Sequence, residues 1–335
     1  MRRSLLLLAV RAFLACALPS SATTIKLASL APEGSVWGKA LEEMGAEWKG
    51  ATEGRVELRI YPGGVAGDDP DVVRKMRIGQ LHAAALTVTG LAEIDEAFEV
   101  FGVPLVFDSY EELYGVLDRM EEELATRLEA KGFVLLHWAY GGWAQLFSKE
   151  PIRTVADLKA QKLFVWAGDD SRVQLWRKVG FHPVPLAGTD ILTGLQTGLI
   201  DVLPSPPIAA LSFQWFRQTP YMLDLGAGPL VGGTVVVKRV WDGLSEGDRQ
   251  ALRRSAKALE ERLEAAVPDQ DREAVEQMTQ RGLEVTEASD PTEWEAIAGQ
   301  FTRQAREEGI VPADVLERLL AARDAVRAEA AGAAP

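Results

Sequence analysis

The chain has 335 residues, with 36 Lys and Arg against 49 Asp and Glu and a formal net charge of −13. This length allows about two compact domains, and 47% hydrophobic with 25% charged residues is typical of globular domains, which disfavours disordered, collagen-like and polytopic membrane chains. The acidic balance leaves no basic surface for a phosphate backbone, so we expect no nucleic acid partner. The single cysteine, Cys16, excludes an intramolecular disulfide, and His82, His137 and His182 are too widely spaced to indicate a metal site.

The first 22 residues have the order of a secretory signal. Two arginines precede an apolar stretch over residues 5–18, and small residues close the segment. A buried N-terminal helix is the alternative. The secretory signal is favoured because no later stretch reaches the roughly 20 apolar residues of a membrane span. We expect cleavage after Ala22 rather than lipidation of Cys16, because the residues before the cysteine form a poor lipoprotein box. The mature protein is then exported to the periplasm.

Strands and helices alternate in the first part of the mature chain. Alternating apolar residues predict strands over 24–30, 56–61 and 83–88. Apolar residues three and four apart predict a helix that begins at Ser35 and a second helix over 69–78. This spacing predicts a βαβαβ unit, and therefore a parallel sheet with right-handed crossovers.

The same alternation resumes further along the chain. The predicted elements are a helix over 110–130, a strand over 133–139 continued by 141–147, a helix over 156–159, a strand over 162–166, helices over 170–179 and 189–197, and a strand over 198–203. The apolar run 230–237 then leads to a helical tail over 245–330, whose charges lie three and four residues apart. We expect His182 in a loop and residues 331–335 to fray.

The sequence lacks the usual marks of an enzyme. It contains no G-x-S-x-G, P-loop, H-E-x-x-H or C-x-x-C motif, and the glycines after Pro62 have the spacing of a turn. Two interpretations of Asp169 and Asp170 stay open: paired catalytic carboxylates, or a cap on the following helix. We therefore expect no enzymatic activity, no cofactor and no metal.

Aromatic residues lie close to several strand ends. They are Trp138, Tyr140, Trp143, Phe164, Trp166, Phe213, Trp215 and Phe216. Ligand sites lie outside the carboxyl ends of parallel strands and between domains, so these rings either line a cleft or pack in the core. Each buried ring contributes about 1.5–3 kcal/mol, so a few rings can hold an apolar ligand without an ion pair.

Five segments carry a resemblance to a known family. They are Leu27–Ser35, Tyr61–Gly64, Arg77–Leu81, Thr154–Lys159 and Leu195–Asp201. In this order the chain resembles the periplasmic solute-binding proteins of TRAP transporters, the DctP-like family, over nearly the whole mature length. The resemblance implies an α/β fold of two lobes joined by crossing strands, with a helical C-terminal tail. The lobes close on one small ligand and deliver it, without turnover, to a membrane permease driven by an ion gradient.

The expected lobe boundaries follow from this resemblance. Lobe I covers residues 23–140 and is completed by about 228–250, and lobe II covers 141–227 and is completed by part of 251–330.

The sequence departs from the family at the positions that usually hold the ligand. Members that carry organic acids present an arginine in the strand after the Asp-Leu-Lys segment, where this chain has Phe164, and a second near the lobe crossing, where it has Trp143-Ala144-Gln145. In a third segment, the family often has a Gly-Gln-Glu-Asn-Pro-like stretch, whereas this chain has Val202-Leu203-Pro204-Ser205-Pro206. Because a buried carboxylate without a cationic partner is costly, these departures predict an apolar or amphipathic ligand.

The expected ligand-binding residues are Trp37, Thr89, Trp143, Gln145, Phe164, Trp166, Ser205, Gln214 and Trp215. Of these, Thr89, Gln145, Ser205 and Gln214 are the candidates for orienting a polar end. The pattern resembles a branch of the family associated with a tetratricopeptide-repeat protein, which joins the permease as an expected partner. Three alternatives stay open: an organic-acid binder in which Arg172 or Arg217 supplies the cation, a cleft enzyme using Asp169 or Asp170, and a structural scaffold of the cell envelope.

Overall fold

A computed structural model describes residues 22–333 of the protein. The predicted signal segment, including Cys16, lies outside the described residues, apart from Ala22. The strands are β1 (Thr23–Ser29), β2 (Val56–Tyr61), β3 (Ala83–Thr87), β4 (Phe133–Ser148), β5 (Lys162–Trp166), β6 (His182–Leu186), β7 (Val202–Ser205), β8 (Tyr221–Val237) and β9 (Glu284–Thr286).

The helices alternate with these strands and then form the C-terminal part. They are α1 (Val36–Ala51), α2 (Asp69–Arg77), α3 (Val88–Ala92), α4 (Tyr110–Ala130), α5 (Val155–Lys159), α6 (Asp170–Lys178), α7 (Ile191–Thr197), α8 (Pro207–Ser212), α9 (Lys238–Asp242), α10 (Glu246–Thr279), α11 (Pro291–Glu307) and α12 (Ala313–Ala333). Short 3₁₀ turns cover Glu96–Gly102, Gly188–Asp190 and Trp215–Arg217. Within the described part, no helix has both the length and the apolar composition needed to cross a membrane.

Hydroxyl side chains fix where several helices begin. Ser35, Ser109 and Ser245 each accept a hydrogen bond from a backbone N–H in the first turn of α1, α4 and α10, respectively. Thr154 and Asp157 form a reciprocal capping box at α5. Such caps satisfy donors that the helix itself leaves free, which explains why the helix starts predicted near Ser35, Ser109 and Ser245 are confirmed.

The strands of the described chain form one sheet, in the order β2-β1-β3-β8-β4-β7-β5-β6, with β9 paired to β8. β1 is parallel to both β2 and β3, which confirms the predicted parallel βαβαβ unit. β5 is likewise parallel to β6 and β7. The sheet therefore has two parallel halves, one on each side of β8 and β4.

The two long strands β4 and β8 join these halves. They are antiparallel and paired along most of their length, with register shifts between Leu135 and His137, between Tyr140 and Gly142 and between Ala144 and Leu146. One end of β8 pairs with β3, and the far end of β4 pairs with β7. This confirms the two-lobe fold with crossing strands. The lobe boundaries at 140 and 227 stay a prediction, which the position of the register shifts supports.

Helix α10 lies against the crossing and contains Pro268. A proline has no N–H, so the carbonyl of Glu264 loses its partner within the helix. The Tyr114 hydroxyl of α4 donates to that carbonyl at 3.4 Å. A hydrogen bond from α4 therefore replaces the one that the proline removes from α10.

One turn further on, the buried carboxylate of Asp271 connects three elements. It accepts hydrogen bonds from the backbone N–H of Trp143 in β4 at 2.8 Å, the N–H of Ile208 in α8 at 3.1 Å and the Tyr110 hydroxyl of α4 at 3.1 Å. Gly142 has φ +111°, and a Cβ there would lie 2.6 Å from an Asp271 oxygen. The glycine therefore lets the carboxylate approach the strand where its register shifts.

Four local expectations differ from the structure. His182 belongs to β6 rather than to a loop, because β6 lies at the sheet edge, where Pro183 and Pro185 need no partner for a missing N–H. The strand expected over 198–203 begins only at Val202, since Gly198 ends α7 in a left-handed conformation at φ +75°. The helical tail contains the short strand β9, and the chain expected to fray at 331–335 stays helical through Ala333.

The Asp271 contacts yield a stability prediction. We expect Asp271→Ala to lower the free energy of unfolding by roughly 3 kcal/mol, because three donors lose their acceptor. Chemical denaturation measures this, with Asp269→Ala on the exposed face of the same helix as the matched control. Equal destabilisation by the two variants would show that the Asp271 contacts do not hold the crossing.

Candidate functional site

A cavity of about 260 Å³ lies between the lobes, where β4 and β8 cross. We call it the cleft cavity. Its wall runs chiefly over Ser29–Ala31, Trp37, Ala85–Thr89, Phe101–Pro104, Ala139–Gly141, Phe164–Trp166, Leu203–Pro206 and Ala227–Gly232. Most of these side chains are apolar, and both lobes contribute to the wall.

Most of the residues expected at the ligand site belong to this wall. They are Trp37, Thr89, Phe164, Trp166, Ser205 and Trp215. The Trp37 indole N–H donates to the carbonyl of Tyr140 at 3.1 Å, which fixes the ring of α1 against β4. The Ser205 hydroxyl is buried and donates to the carbonyl of Pro206 at 3.0 Å.

The other three expected residues, Trp143, Gln145 and Gln214, lie outside the cavity wall. The Gln145 side-chain oxygen accepts from the backbone N–H groups of Leu225 at 2.9 Å and Gly226 at 2.8 Å, so this amide holds β8 to β4. Gln214 is exposed, and its amide donates to a carbonyl of α8. The Trp143 ring packs edge-on against Tyr110, with ring centroids 5.1 Å apart.

The lobe II wall is built from two pairs of aromatic rings. Phe164 and Trp166 meet edge to face, with centroids 5.2 Å apart. Phe213 and Trp215 are stacked, with centroids 4.4 Å apart. Phe164 and Ala144, the positions where the resemblance leads one to expect arginines, both line the cavity. The wall is therefore apolar where an acid-binding relative would be cationic.

Among the lining residues in the described part of the chain, Arg172 alone has a side chain that is cationic at neutral pH. Its Nε lies 3.1 Å from an Asp169 carboxylate oxygen, and a Cβ on Gly102 would collide with its guanidinium. Glu99 lies close by, and burial, followed by the nearby Asp169 charge, raises the pKa of Glu99. Arg217 is exposed and lies outside the wall.

The adjacent aspartates have structural positions. Asp169 accepts a hydrogen bond from the backbone N–H of Arg172 at 3.0 Å and so caps α6, whereas Asp170 is exposed in the first turn. Neither residue belongs to the cavity wall. Over residues 22–333, no group of three or more His, Cys, Asp or Glu side chains is arranged to hold a metal ion.

The two lobes touch across the mouth of the cleft. Three hydrogen bonds join them: Gly188 N–H to Asp68 at 3.1 Å, the Ser171 hydroxyl to Glu99 at 2.9 Å and the Thr89 hydroxyl to Asp169 at 3.4 Å. Every acceptor is a carboxylate, and burial raises the pKa of Asp68 as well as that of Glu99. The contacts between the lobes therefore place three acidic residues beside the cavity, outside its wall.

The Asp68 contact predicts an effect on closure. We expect Asp68→Ala to shift the lobes towards an open form about fivefold, because the Gly188 N–H loses its acceptor. The distance between fluorophores on the two lobes measures the shift. Asp71→Ala, which removes an exposed ion pair of the same helix, is the control. Identical distances in both variants and the wild type would exclude a role in closure.

Beside the cleft, Asp69 is a buried carboxyl group. One oxygen accepts from the Thr87 backbone N–H at 3.1 Å and the Thr87 hydroxyl at 2.6 Å. Burial raises its pKa from 3.8 to about 7. The folded protein therefore keeps a proton that the unfolded chain releases between these values.

This pKa shift predicts a pH dependence of stability. The contribution of Asp69 is fully present below pH 3.8 and is lost as the pH rises towards about 7, because the unfolded chain binds fewer protons over that range. In Asp69→Asn we expect this loss to disappear, so the difference in unfolding free energy between wild type and variant changes with pH. His137, whose pKa burial lowers to about 4, contributes the opposite slope to both proteins and cancels in the difference. A difference that does not change with pH would contradict the assignment.

Comparison with known proteins identifies the family. The model of the bacterial extracellular solute-binding protein family 7, DctP, matches residues 27–308, so the chain belongs to this family. A solute-binding protein from Chromohalobacter salexigens is 28% identical over 80% of this chain and 81% of its own length. The 2,3-diketo-L-gulonate-binding periplasmic protein YiaO of Escherichia coli is 25% identical over 70% of this chain and 72% of its own length.

Solved structures agree with this assignment. A TRAP periplasmic solute-binding protein from Chromohalobacter salexigens with bound D-glucuronate has a TM-score of 0.81 and 26% identity, covering 89% of this chain and 99% of the other. The sugar-acid-binding protein DctPAm from Advenella mimigardefordensis, in complex with galactonate, has a TM-score of 0.85 at 19% identity, covering 91% of this chain and 99% of the other.

These findings confirm the family and the two-lobe fold expected from the sequence. The protein is a TRAP solute-binding protein, which captures a small molecule and delivers it to a TRAP transporter. DctP-family proteins are periplasmic binding proteins rather than enzymes.

Sequence reasoning missed several residues of the wall. The main omissions are His137 of β4, Thr234 of β8, and Leu259 and Leu263 of α10. A polar residue inside each of two apolar strand sequences was an available signal for the first pair. The leucines gave no such signal, because an apolar residue in an amphipathic helix has the same pattern in a core and in a cavity.

Proposed function

We propose that the protein captures an uncharged apolar or amphipathic molecule in the cleft cavity and delivers it to a TRAP permease. The observation that carries this proposal is the state of Arg172. It is the one permanently cationic side chain among the described lining residues, and it already lies against Asp169. Phe164 and Ala144 stand where the family resemblance predicts arginines.

An anionic ligand would lose hydration in this cavity without an equivalent gain. The Arg172 Nε already lies 3.1 Å from Asp169, whose side chain is only 10% exposed. This carboxylate offsets the guanidinium charge, so a ligand carboxylate gains less from Arg172 than from an unpaired arginine, while it still loses its hydration. Glu99, close to the same pair, adds a further acidic group. An uncharged ligand avoids all of these costs.

An apolar ligand gains from the aromatic wall instead. Each methylene group that leaves water for the cavity contributes about 0.8 kcal/mol. The rings of Phe164, Trp166, Phe213 and Trp215 present flat apolar faces without a competing charge. The expected affinity therefore depends on the length of the apolar part of the ligand.

An organic-acid binder is the second candidate function. It is favoured by the presence of Arg172 in the wall and by the sugar acids bound to structural neighbours. In that case Nη1 and Nη2 of Arg172 would bind the ligand carboxylate while Nε stays beside Asp169.

The proposal extends to processing and partners. The first 22 residues direct export and are removed after Ala22, and the folded protein works in the periplasm. A tetratricopeptide-repeat protein is the further partner in the branch that handles hydrophobic molecules. Turnover is no part of the proposal, because Asp169 caps a helix and Asp170 is exposed.

A pair of eight-carbon probes tests the ligand class. We expect the wild type to bind octan-1-ol and to bind octanoate at least about tenfold more weakly, since the carboxylate has no free cation to meet. Titrations follow the fluorescence of the lining residues Trp37, Trp166 and Trp215. Tight octanoate binding that disappears in Arg172→Met would establish the second candidate and reject the first.

Restoring the missing cation tests the same point in reverse. We expect Phe164→Arg to reverse the preference and improve octanoate binding at least about tenfold. Ala144→Arg is the second variant, because Ala144 is only partly buried and tolerates a longer side chain more readily. Leu199→Arg, exposed and outside the wall, controls for added charge. No gain in either cavity variant would contradict the account of Phe164 and Ala144.

A further inference from the structure

Three buried polar atoms in the wall of the cleft cavity, among the residues that the structure describes, have no hydrogen-bond partner. They are Nε2 of His137, Oγ1 of Thr234 and Nε of Arg172, and the last of these lies 3.1 Å from the Asp169 carboxylate in an ion pair. His137 and Thr234 both line the cavity and are almost fully buried, at 3% and 0% exposure. They are directly paired across β4 and β8, and paired residues project from the same face of a sheet. The two polar groups are therefore neighbours on one wall.

The hydrogen bonding of His137 determines what its free nitrogen can do. Its Nδ1 lies 2.7 Å from the carbonyl oxygen of Trp138, which can only accept, so Nδ1 carries the proton. Nε2 therefore presents a lone pair. Burial lowers the pKa of His137 to about 4, so the ring is neutral at neutral pH. The wall thus offers one acceptor, with a hydroxyl beside it that donates or accepts.

Neighbouring groups do not satisfy these atoms. Leu259 and Leu263 of α10 and Ala139 of β4 supply apolar surface to the same cavity. The charged groups of α10 are engaged elsewhere, since Glu260 accepts from the Trp138 backbone N–H at 2.9 Å and from Lys257 at 2.6 Å. Buried polar atoms without partners are rare in folded proteins, so this pair calls for a partner from outside the chain.

We propose that His137 and Thr234 form the polar anchor of the cleft cavity. The ligand is then a small molecule with an apolar body and one uncharged hydroxyl group. This inference rests on the proposed function. The ligand hydroxyl donates to His137 Nε2 and accepts from the Thr234 hydroxyl. A carboxylate cannot serve, because it only accepts and would face the Nε2 lone pair. An ether oxygen has no proton to donate, so it leaves Nε2 unpaired.

Two isomers separate the anchor from simple apolar burial. Octan-1-ol and heptyl methyl ether have the same composition and nearly the same apolar surface, but only the alcohol donates a hydrogen bond. We expect the wild type to bind the alcohol about tenfold more tightly than the ether, the value expected when one buried acceptor gains its partner. His137→Leu should reduce this ratio towards one. Thr234→Val, which keeps the side-chain shape, should instead weaken the binding of both isomers alike, because either ligand oxygen can accept from the Thr234 hydroxyl.

A matched control exists on the same strand. Ser148 of β4 is fully buried and its hydroxyl has no partner, but it lies outside the cavity wall. Ser148→Ala should therefore leave the alcohol-to-ether ratio unchanged. Melting temperatures of all three variants show whether each is folded. The alcohol-to-ether affinity ratio of the wild type tests the anchor even if a variant fails to fold.

The outcomes separate this inference from the proposed function. Equal affinity of the wild type for both isomers, or a ratio that survives His137→Leu, would overturn the anchor while leaving an apolar site. Failure of both isomers to bind would overturn the proposed function, and the anchor with it. A ratio of about ten that is lost in His137→Leu and kept in Ser148→Ala, with both isomers bound more weakly by Thr234→Val, would establish the anchor.

Discussion

The contact between Arg172 and Asp169 limits what the cleft cavity can hold. The guanidinium stands in the wall, yet a carboxylate of the same helix already lies 3.1 Å from it. That carboxylate offsets the guanidinium charge, so Arg172 attracts an anionic ligand less strongly than an unpaired arginine would. The remaining wall is aromatic and aliphatic, and the contacts that close the lobes use carboxylates as acceptors. Charge and shape therefore favour the same class of ligand, one without a negative charge.

The crossing strands β4 and β8 place several residues in the cavity wall. β4 supplies Ala144 and His137 to the cavity, and β8 supplies Thr234 opposite His137. Asp271 ties the crossing to both lobes, and the proline one turn earlier interrupts the ladder of α10. One segment of sheet thus carries the lobe connection and part of the binding wall. A change in how the strands cross would alter the cavity directly.

Local patterns predicted most of the elements, and long-range pairing explains what they missed. The βαβαβ unit and the capped helices were readable because period and capping residues are local features. β9 and the edge strand β6 were not, since a short or proline-containing strand forms only where a neighbour pairs with it. The sequence pointed to Phe164 and Trp166 because both lie near the end of a predicted strand, and both line the cavity. It could not show the contacts of Gln145, whose partners lie 80 and 81 residues away. His137 and Thr234 become a pair only once β4 and β8 are in register.

The central claim is that the cleft holds an uncharged molecule although its structural neighbours hold sugar acids. Native mass spectrometry of the protein as isolated from the periplasm, followed by solvent extraction and identification of the bound molecule, tests it most directly. The account predicts a neutral compound with an apolar body and a hydroxyl group. A bound carboxylate would contradict this claim, most directly if the crystal structure of the complex shows the carboxylate paired with Arg172.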